Sequence, residues 1–302
     1  MNTYRANGKL LLTGEYLVLH GAIALALPTK LGQTLSVETC HGASLQWDAY
    51  QPNGKWLSVT LDPSNLAILD ATDFSKADKL SKILRTLQEL NPQALTPGLR
   101  FETHLEFDPQ WGLGSSSTLI SNLAQWAGIN PYELLKKTIG GSGYDIACAT
   151  ANTALHYKLD QGEPRVQPVD FNPPFVDHLF FVYQGKKQHS SEEVKAFNQH
   201  WAEADFSSEM QTVSELSMAL PTVTYFEDFC TLLQVHENIL AHCLGREPVQ
   251  RHFSDFNGVL KSLGAWGGDF LLAATTMPFD DVKSYFQSKN MNTIFKYQDL
   301  IL

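Results

Sequence analysis

The chain has 302 residues, 43% of them hydrophobic and 18% charged, with a formal net charge of −10. That balance excludes a disordered chain and exceeds one small core, and its acidity argues against a nucleic-acid partner, because a phosphate backbone needs a basic footprint. No apolar run reaches the roughly 18 residues of a membrane span, and Met1–Arg5 lacks the apolar core of a secretory signal. No membrane partner is therefore expected, and the expected compartment is the cytoplasm. Cys40, Cys148, Cys230 and Cys243 form no Cys-x-x-Cys pair and no ligand spacing with histidine, so reduced thiols are expected.

Taken in order, the first ninety residues read mostly as strands. Lys9–Thr13, Tyr16–Leu19 and Ile23–Leu27 are short apolar runs, and Gly32–Thr39 and Trp56–Leu61 alternate at period two. After Asp73 the pattern changes: Leu80, Ile83, Leu84, Leu87 and Leu90 mark an amphipathic helix. Leu99 to Phe107 alternates most cleanly of all and leads into Trp111-Gly112-Leu113-Gly114-Ser115-Ser116-Ser117-Thr118. A helix follows, apolar at Leu119, Ile120, Leu123, Ala124 and Ala127, with the serines as its expected N-cap and Gly128 as its stop. Asn130-Pro131 predicts another helix start, running to Gly140-Gly141. A strand near Leu155–Leu159 precedes a cluster of Gly162, Pro164, Pro168, Pro173 and Pro174, the expected domain boundary. Beyond it, strands are predicted at His178–Tyr183, Asp269–Thr275 and Thr293–Tyr297. Helices are predicted at Ser191–Asp205, Ser207–Ala219, Tyr225–Leu244, Val249–Leu263 and Asp280–Ser288. The pattern as a whole predicts an α+β architecture, helices layered on a mainly antiparallel sheet.

The glycine–serine stretch is the chemical centre of the chain. Two glycines permit a tight turn, and the helix that follows directs its first amides and its positive dipole end at whatever the loop surrounds, a geometry that binds phosphate. An ordinary serine-capped turn is the plainer alternative. Other phosphate and nucleophile signatures are missing: there is no Gly-x-x-x-x-Gly-Lys-Ser/Thr loop, no His-Arg-Asp or Asp-Phe-Gly, and glycine stands where a Gly-x-Ser-x-Gly elbow needs serine.

Two further stretches, Asn7-Gly8-Lys9-Leu10-Leu11-Leu12-Thr13-Gly14-Glu15-Tyr16 and Ser262-Leu263-Gly264-Ala265-Trp266-Gly267-Gly268-Asp269, accompany the serine loop in order. Together the three resemble the motifs of the GHMP kinases, small-molecule kinases named for galactose, homoserine, mevalonate and phosphomevalonate. The resemblance spans residues 7 to 275 and implies a GHMP kinase-like two-domain α+β fold. The N-terminal domain would cover 1–170 and a ferredoxin-like C-terminal domain 171–302. It also implies ATP and Mg²⁺ as cofactors, and a small-molecule acceptor, phosphomevalonate ahead of mevalonate, in a monomer or homodimer.

The resemblance assigns Gly112, Leu113, Gly114, Ser115, Ser116 and Ser117 to the nucleotide phosphates, with Ser116 and, more loosely, Glu133 for the metal. Asp145, in Gly143-Tyr144-Asp145-Ile146, is the candidate catalytic carboxylate, suited to orient the attacking hydroxyl and accept its proton; the alternative is an aspartate capping a helix that begins near Ile146. Lys9 is the second catalytic candidate, able to stabilise charge on the transferred phosphoryl group, against the ordinary fate of a solvated lysine. Glu15 and Tyr16, Lys186, Lys187 and Ser190, and Gly264, Ala265, Gly267 and Gly268 are the candidate acceptor contacts. Gly-Glu-Tyr, Gly-Gly-Asp and the lysine–serine stretch resemble phosphomevalonate kinases, although the chain is short for one. Asn7 replaces the family's usual proline and Trp266 a glycine, which leaves a catalytically weak ligand-binding relative as the other reading.

Overall fold

The computed structural model describes residues 2–186, 190–201, 204–264, 266 and 268–302. In chain order it has β1 (Asn2–Thr13), a 3₁₀ turn at Leu17–His20, β2 (Ala24–Thr39), β3 (Leu45–Gln51), β4 (Gly54–Leu61), β5 (Ile68–Ala71), α1 (Phe74–Leu90), β6 (Leu99–Leu105), α2 (Ser115–Ala127), α3 (Pro131–Thr138) and α4 (Tyr144–Ala149). There follow β7 (Leu155–Asp160), β8 (Glu163–Pro168), β9 (Leu179–Tyr183), α5 (Ser190–Trp201), α6 (Ser207–Ala219), α7 (Phe226–Leu244), β10 (Val259–Leu263), β11 (Phe270–Ala274), α8 (Phe279–Gln287), β12 (Ile294–Lys296) and α9 (Tyr297–Leu300). The chain divides into two compact units. The first comprises Met1–Gly8, Leu31–Pro109 and Leu113–Thr150, and the second Lys9–Lys30, Gln110–Gly112 and Ala151–Leu302.

In the first unit the strand order is β5-β4-β3-β6-β2, with β3 and β6 parallel and the other neighbours antiparallel. The helices cover this sheet because their apolar stripes recur at helical spacing. Ala77, Leu80, Ile83, Leu84 and Leu87 of α1 join Ile120, Leu123 and Ala124 of α2 and Leu134 and Leu135 of α3 in one core with Trp47, Val59 and Phe101. Local signals set the ends of these helices. The Asp73 carboxylate accepts from Lys76 N, the Asn130 side chain accepts from Tyr132 N with proline at the first turn, and Gly128 closes α2 in the left-handed conformation. The expected serine N-cap is corrected: Gly114, at φ 91°, is the N-cap, and the serines form the first turn of α2 itself.

The second unit holds an antiparallel sheet, β10-β11-β9-β12, and a β7–β8 hairpin beside the first residues of β2. The proline-rich stretch taken as a boundary is partly strand. Pro164 and Pro168 lie on β8, at the end of the strand order, where a missing N–H breaks no interior ladder. Tyr16–Leu19, expected as strand, instead turns through Tyr16 (φ 61°) into a 3₁₀ turn. The expected helix Val249–Leu263 is a short 3₁₀ segment, Val249–Phe253, followed by strand β10. All five residues of β10 are buried, so no alternation marks it as a strand. A Cβ at Gly258 would lie 2.6 Å from the Ala274 carbonyl oxygen, which requires glycine where the chain enters β10.

Candidate active site

In the first unit, α2 presents the serine loop to Asp145. Because Gly114 is the N-cap, the amides of Ser115, Ser116 and Ser117 precede the first intrahelical bond, Thr118 N to Gly114 O at 2.9 Å. Ser115 is half-buried, Ser116 exposed and Ser117 buried. The Ser117 hydroxyl donates to Asp145 Oδ2, and Asp145 Oδ1 accepts from Ile146 N at 3.2 Å. Asp145 lies in the first turn of α4, reached through Gly143 at φ 84°. α2 is anchored from behind by Gln33, whose side-chain oxygen accepts from Thr118 Oγ1 at 2.7 Å and whose carbonyl accepts from Asn122 Nδ2 at 2.9 Å. Glu133 is exposed in the first turn of α3. Among the described residues no group of three or more His, Cys, Asp or Glu side chains could hold a metal.

In the second unit, Lys9 Nζ donates to the Gly112 carbonyl at 2.8 Å. Asp269, 6% exposed, adopts φ 53° and sets its carboxylate against two glycines. A Cβ at Gly112 would lie 2.6 Å from Asp269 Cγ, and one at Gly264 would lie 3.2 Å from Asp269 Oδ2. Gly112 and Gly264, at φ 71° and 70°, are thus required both for conformation and for the close approach of that carboxylate. The Asp269 amide donates to the Lys186 carbonyl at 2.9 Å, and Gln184 Nε2 donates to the Gly268 carbonyl at 2.6 Å. Ala265, Gly267 and Lys187 lie outside the described residues, and Ser190 is placed only as the first residue of α5.

Glu15 and Tyr16 are buried and held by other groups of the same unit. Lys261 Nζ donates to Glu15 Oε1 at 2.6 Å, with the two side chains 0% and 2% exposed, and His236 Nε2 lies 3.5 Å from Glu15 Oε2 while accepting from Gly14 N at 2.9 Å. Burial outweighs the lysine and raises the Glu15 carboxyl to about 7; burial and the Lys261 charge hold the His236 ring neutral, well below its usual range. Burial also pushes the Tyr16 phenol up to about 12, and its oxygen accepts from Trp266 N at 3.2 Å. A bulky residue at positive φ is strained, and two of the five non-glycine cases among the described residues, Tyr16 and Asp269, fall in the first and third motifs.

Sequence reasoning missed Lys261, His236 and Glu237. Glu237 accepts from Val249 N, Ser262 N and Ser262 Oγ, each at 3.0 Å. A lysine in the middle of an otherwise uncharged apolar run was the one available signal.

This is the α+β fold of the GHMP kinases. No protein-family model and no curated protein sequence matches the chain, whereas solved structures match over nearly its whole length. The L. major mevalonate kinase in complex with R-mevalonate is similar at TM-score 0.71 and 16% identity, covering 98% of this chain and 95% of that one. The Streptococcus pneumoniae phosphomevalonate kinase in complex with phosphomevalonate and AMPPNP is similar at TM-score 0.71 and 15% identity, covering 98% and 100%. The Lactococcus lactis galactokinase complexed with galactose is similar at TM-score 0.64 and 13% identity, covering 97% and 92%. The three structures hold different small molecules on one fold.

Proposed function

We propose that the protein is an ATP- and Mg²⁺-dependent GHMP-type kinase of small molecules, with phosphomevalonate ahead of mevalonate as acceptor. The hydrogen bond from Ser117 to Asp145 carries the reading, because it joins the first turn of a phosphate-binding helix to a carboxylate in a glycine-bounded turn. In this reading the first-turn amides of Ser115, Ser116 and Ser117 hold nucleotide phosphate, a role their lack of intrahelical acceptors supports. Asp145 orients the acceptor hydroxyl and takes its proton, with the Ser117 hydroxyl fixing the carboxylate. Lys9 stabilises charge on the transferred group, its ammonium held by the Gly112 carbonyl until phosphate competes for it.

Ser116 and Glu133, both exposed, are the proposed metal contacts; a Mg²⁺ ion completes its shell with water and phosphate oxygens and so needs no protein cage. Bound there, it would neutralise charge on the phosphates. The domains 1–170 and 171–302 and a cytoplasmic setting belong to the same reading. A coupled ADP-release assay against mevalonate, phosphomevalonate, diphosphomevalonate, homoserine and a panel of sugars tests it. ADP release with a phosphorylated hydroxy acid is the expected result, and no release with any acceptor refutes it.

A further inference from the structure

The second unit buries ionisable side chains together: Lys261 on β10 and His236 on α7 are 0% exposed, Glu15 and Glu237 2% each. Taking such groups out of water is costly, and a buried ion pair is commonly no more stabilising than apolar side chains of the same volume. The cost is higher still here, because Glu15 Oε2 and His236 Nδ1 have no hydrogen-bond partner among the described residues. Stability therefore gives no reason for the cluster. The best-attested use of buried polar groups is to fix the register of the elements they join.

Its contacts join the first and third glycine-bearing stretches. Neighbouring residues of α7 hold one stretch each: His236 Nε2 accepts from Gly14 N at 2.9 Å, and Glu237 accepts from Ser262 N and Ser262 Oγ, each at 3.0 Å. Lys261 links the two directly, donating to Glu15 Oε1 at 2.6 Å and to the Ser262 carbonyl at 2.8 Å. One residue further on, the Tyr16 oxygen accepts from Trp266 N at 3.2 Å. At their other ends the same stretches meet at Gly112, whose carbonyl accepts from Lys9 Nζ and which the Asp269 carboxylate abuts. β1 is continuous from Lys9 to Thr13, so a displacement of the Gly14 turn is carried along the strand to Lys9. A misplacement of about 1 Å in a reacting group can cost about 10²-fold in rate.

We propose that Glu15 and Lys261 are positioning residues for phosphoryl transfer: their buried pair fixes the Gly14-Glu15-Tyr16 turn against the strand that enters Gly264, and so sets where Lys9 and Asp269 meet Gly112. Glu15 then acts through Lys261 and does not touch the acceptor. The reaction comes from the kinase reading; the link between the two stretches does not depend on it.

The test is the double variant Glu15→Gln, Lys261→Met of the full chain at pH 8.5, which removes both charges while keeping most of the volume. A merely structural pair predicts that activity returns with stability. The expected result is a urea midpoint close to wild type, a kcat about tenfold or more lower, and a KM for ATP little changed. Glu15→Gln alone should lower kcat by the same factor, because either change breaks the same link. Amide hydrogen exchange, followed by nuclear magnetic resonance without nucleotide, should be faster at Gly14 and Trp266 in the double variant. If the double variant does not fold, Lys261→Met at pH 6, where Glu15 is largely protonated, should show the same faster exchange. A stable double variant with kcat within a few-fold of wild type, or unchanged exchange at both amides, overturns the proposal. So does a Glu15→Gln variant that raises only the acceptor KM, which makes Glu15 an acceptor contact. If the wild type releases no ADP with any acceptor, the kinase reading fails, and faster or unchanged exchange alone decides whether the pair links the two stretches.

Discussion

Replacing Lys261 with methionine is expected to destabilise the protein in a strongly pH-dependent way. The ammonium is fully buried, 2.6 Å from Glu15 Oε1 and 2.8 Å from the Ser262 carbonyl. Methionine keeps much of the length and the apolar stem but removes the charge. Glu15 then keeps its desolvation and loses its counter-ion, so its carboxyl, already at about 7, moves higher. At pH 6 Glu15 is largely protonated with or without Lys261, and the cost is mainly the lost bond to Ser262, about 1 kcal/mol. Above pH 7 the wild-type carboxylate ionises while that of the variant cannot, and the cost grows by up to about 1.4 kcal/mol per pH unit. At about pH 8.5 it approaches the roughly 3–5 kcal/mol of a broken buried pair. Urea unfolding of both proteins at the two pH values measures this, and the double variant Glu15→Gln, Lys261→Met should recover most of the loss at the higher pH. A destabilisation that is the same at both pH values, or a double variant no better than the single, refutes the reasoning.

Other expectations follow from the same geometry. Asp145→Asn should leave the fold and ATP binding intact and lower kcat by about 10²–10⁴-fold; turnover within a few-fold of wild type would remove Asp145 as proton acceptor. Lys9→Met should lower kcat more than it raises the KM for ATP, whereas an unchanged kcat with a large KM effect makes Lys9 a ground-state binder. Ser117→Ala should cost about tenfold or more in kcat through the lost hydrogen bond to Asp145, with the urea midpoint little changed, and full activity would separate the serine from the carboxylate. The last concerns stability against pH. Glu15, raised from 4.5 to about 7, contributes stability that is full below pH 4.5 and lost as pH rises through 7. His236, depressed below 6.5, contributes stability present above 6.5 and lost as pH falls. Between pH 4.5 and 6.5 the two slopes oppose, so Glu15→Gln should make stability fall more steeply with acidification there, by up to about 1.4 kcal/mol per unit; a profile parallel to wild type contradicts the assignment.

The sequence by itself determined what depends on neighbours along the chain. The alternation of β6, the stripe of α1, the stop of α2 at Gly128 and the cap of α3 at Asn130 all follow from rules that act within a few residues. The order of the three glycine-bearing stretches was legible for the same reason, since their turns need glycine at set spacing. Tertiary structure decided the rest. β10 is buried on both faces, so the alternation that identifies a strand is absent, and only its pairing with β11 distinguishes it from a helix. Tyr16 turns at φ 61° because a backbone amide of Trp266 and an apolar cluster far along the chain hold it there. Glu15 meets Lys261 across 246 residues, and Ser117 meets Asp145 across 28. No spacing encodes such contacts, because they form only when packed elements bring distant side chains into a low-dielectric interior where each needs the other.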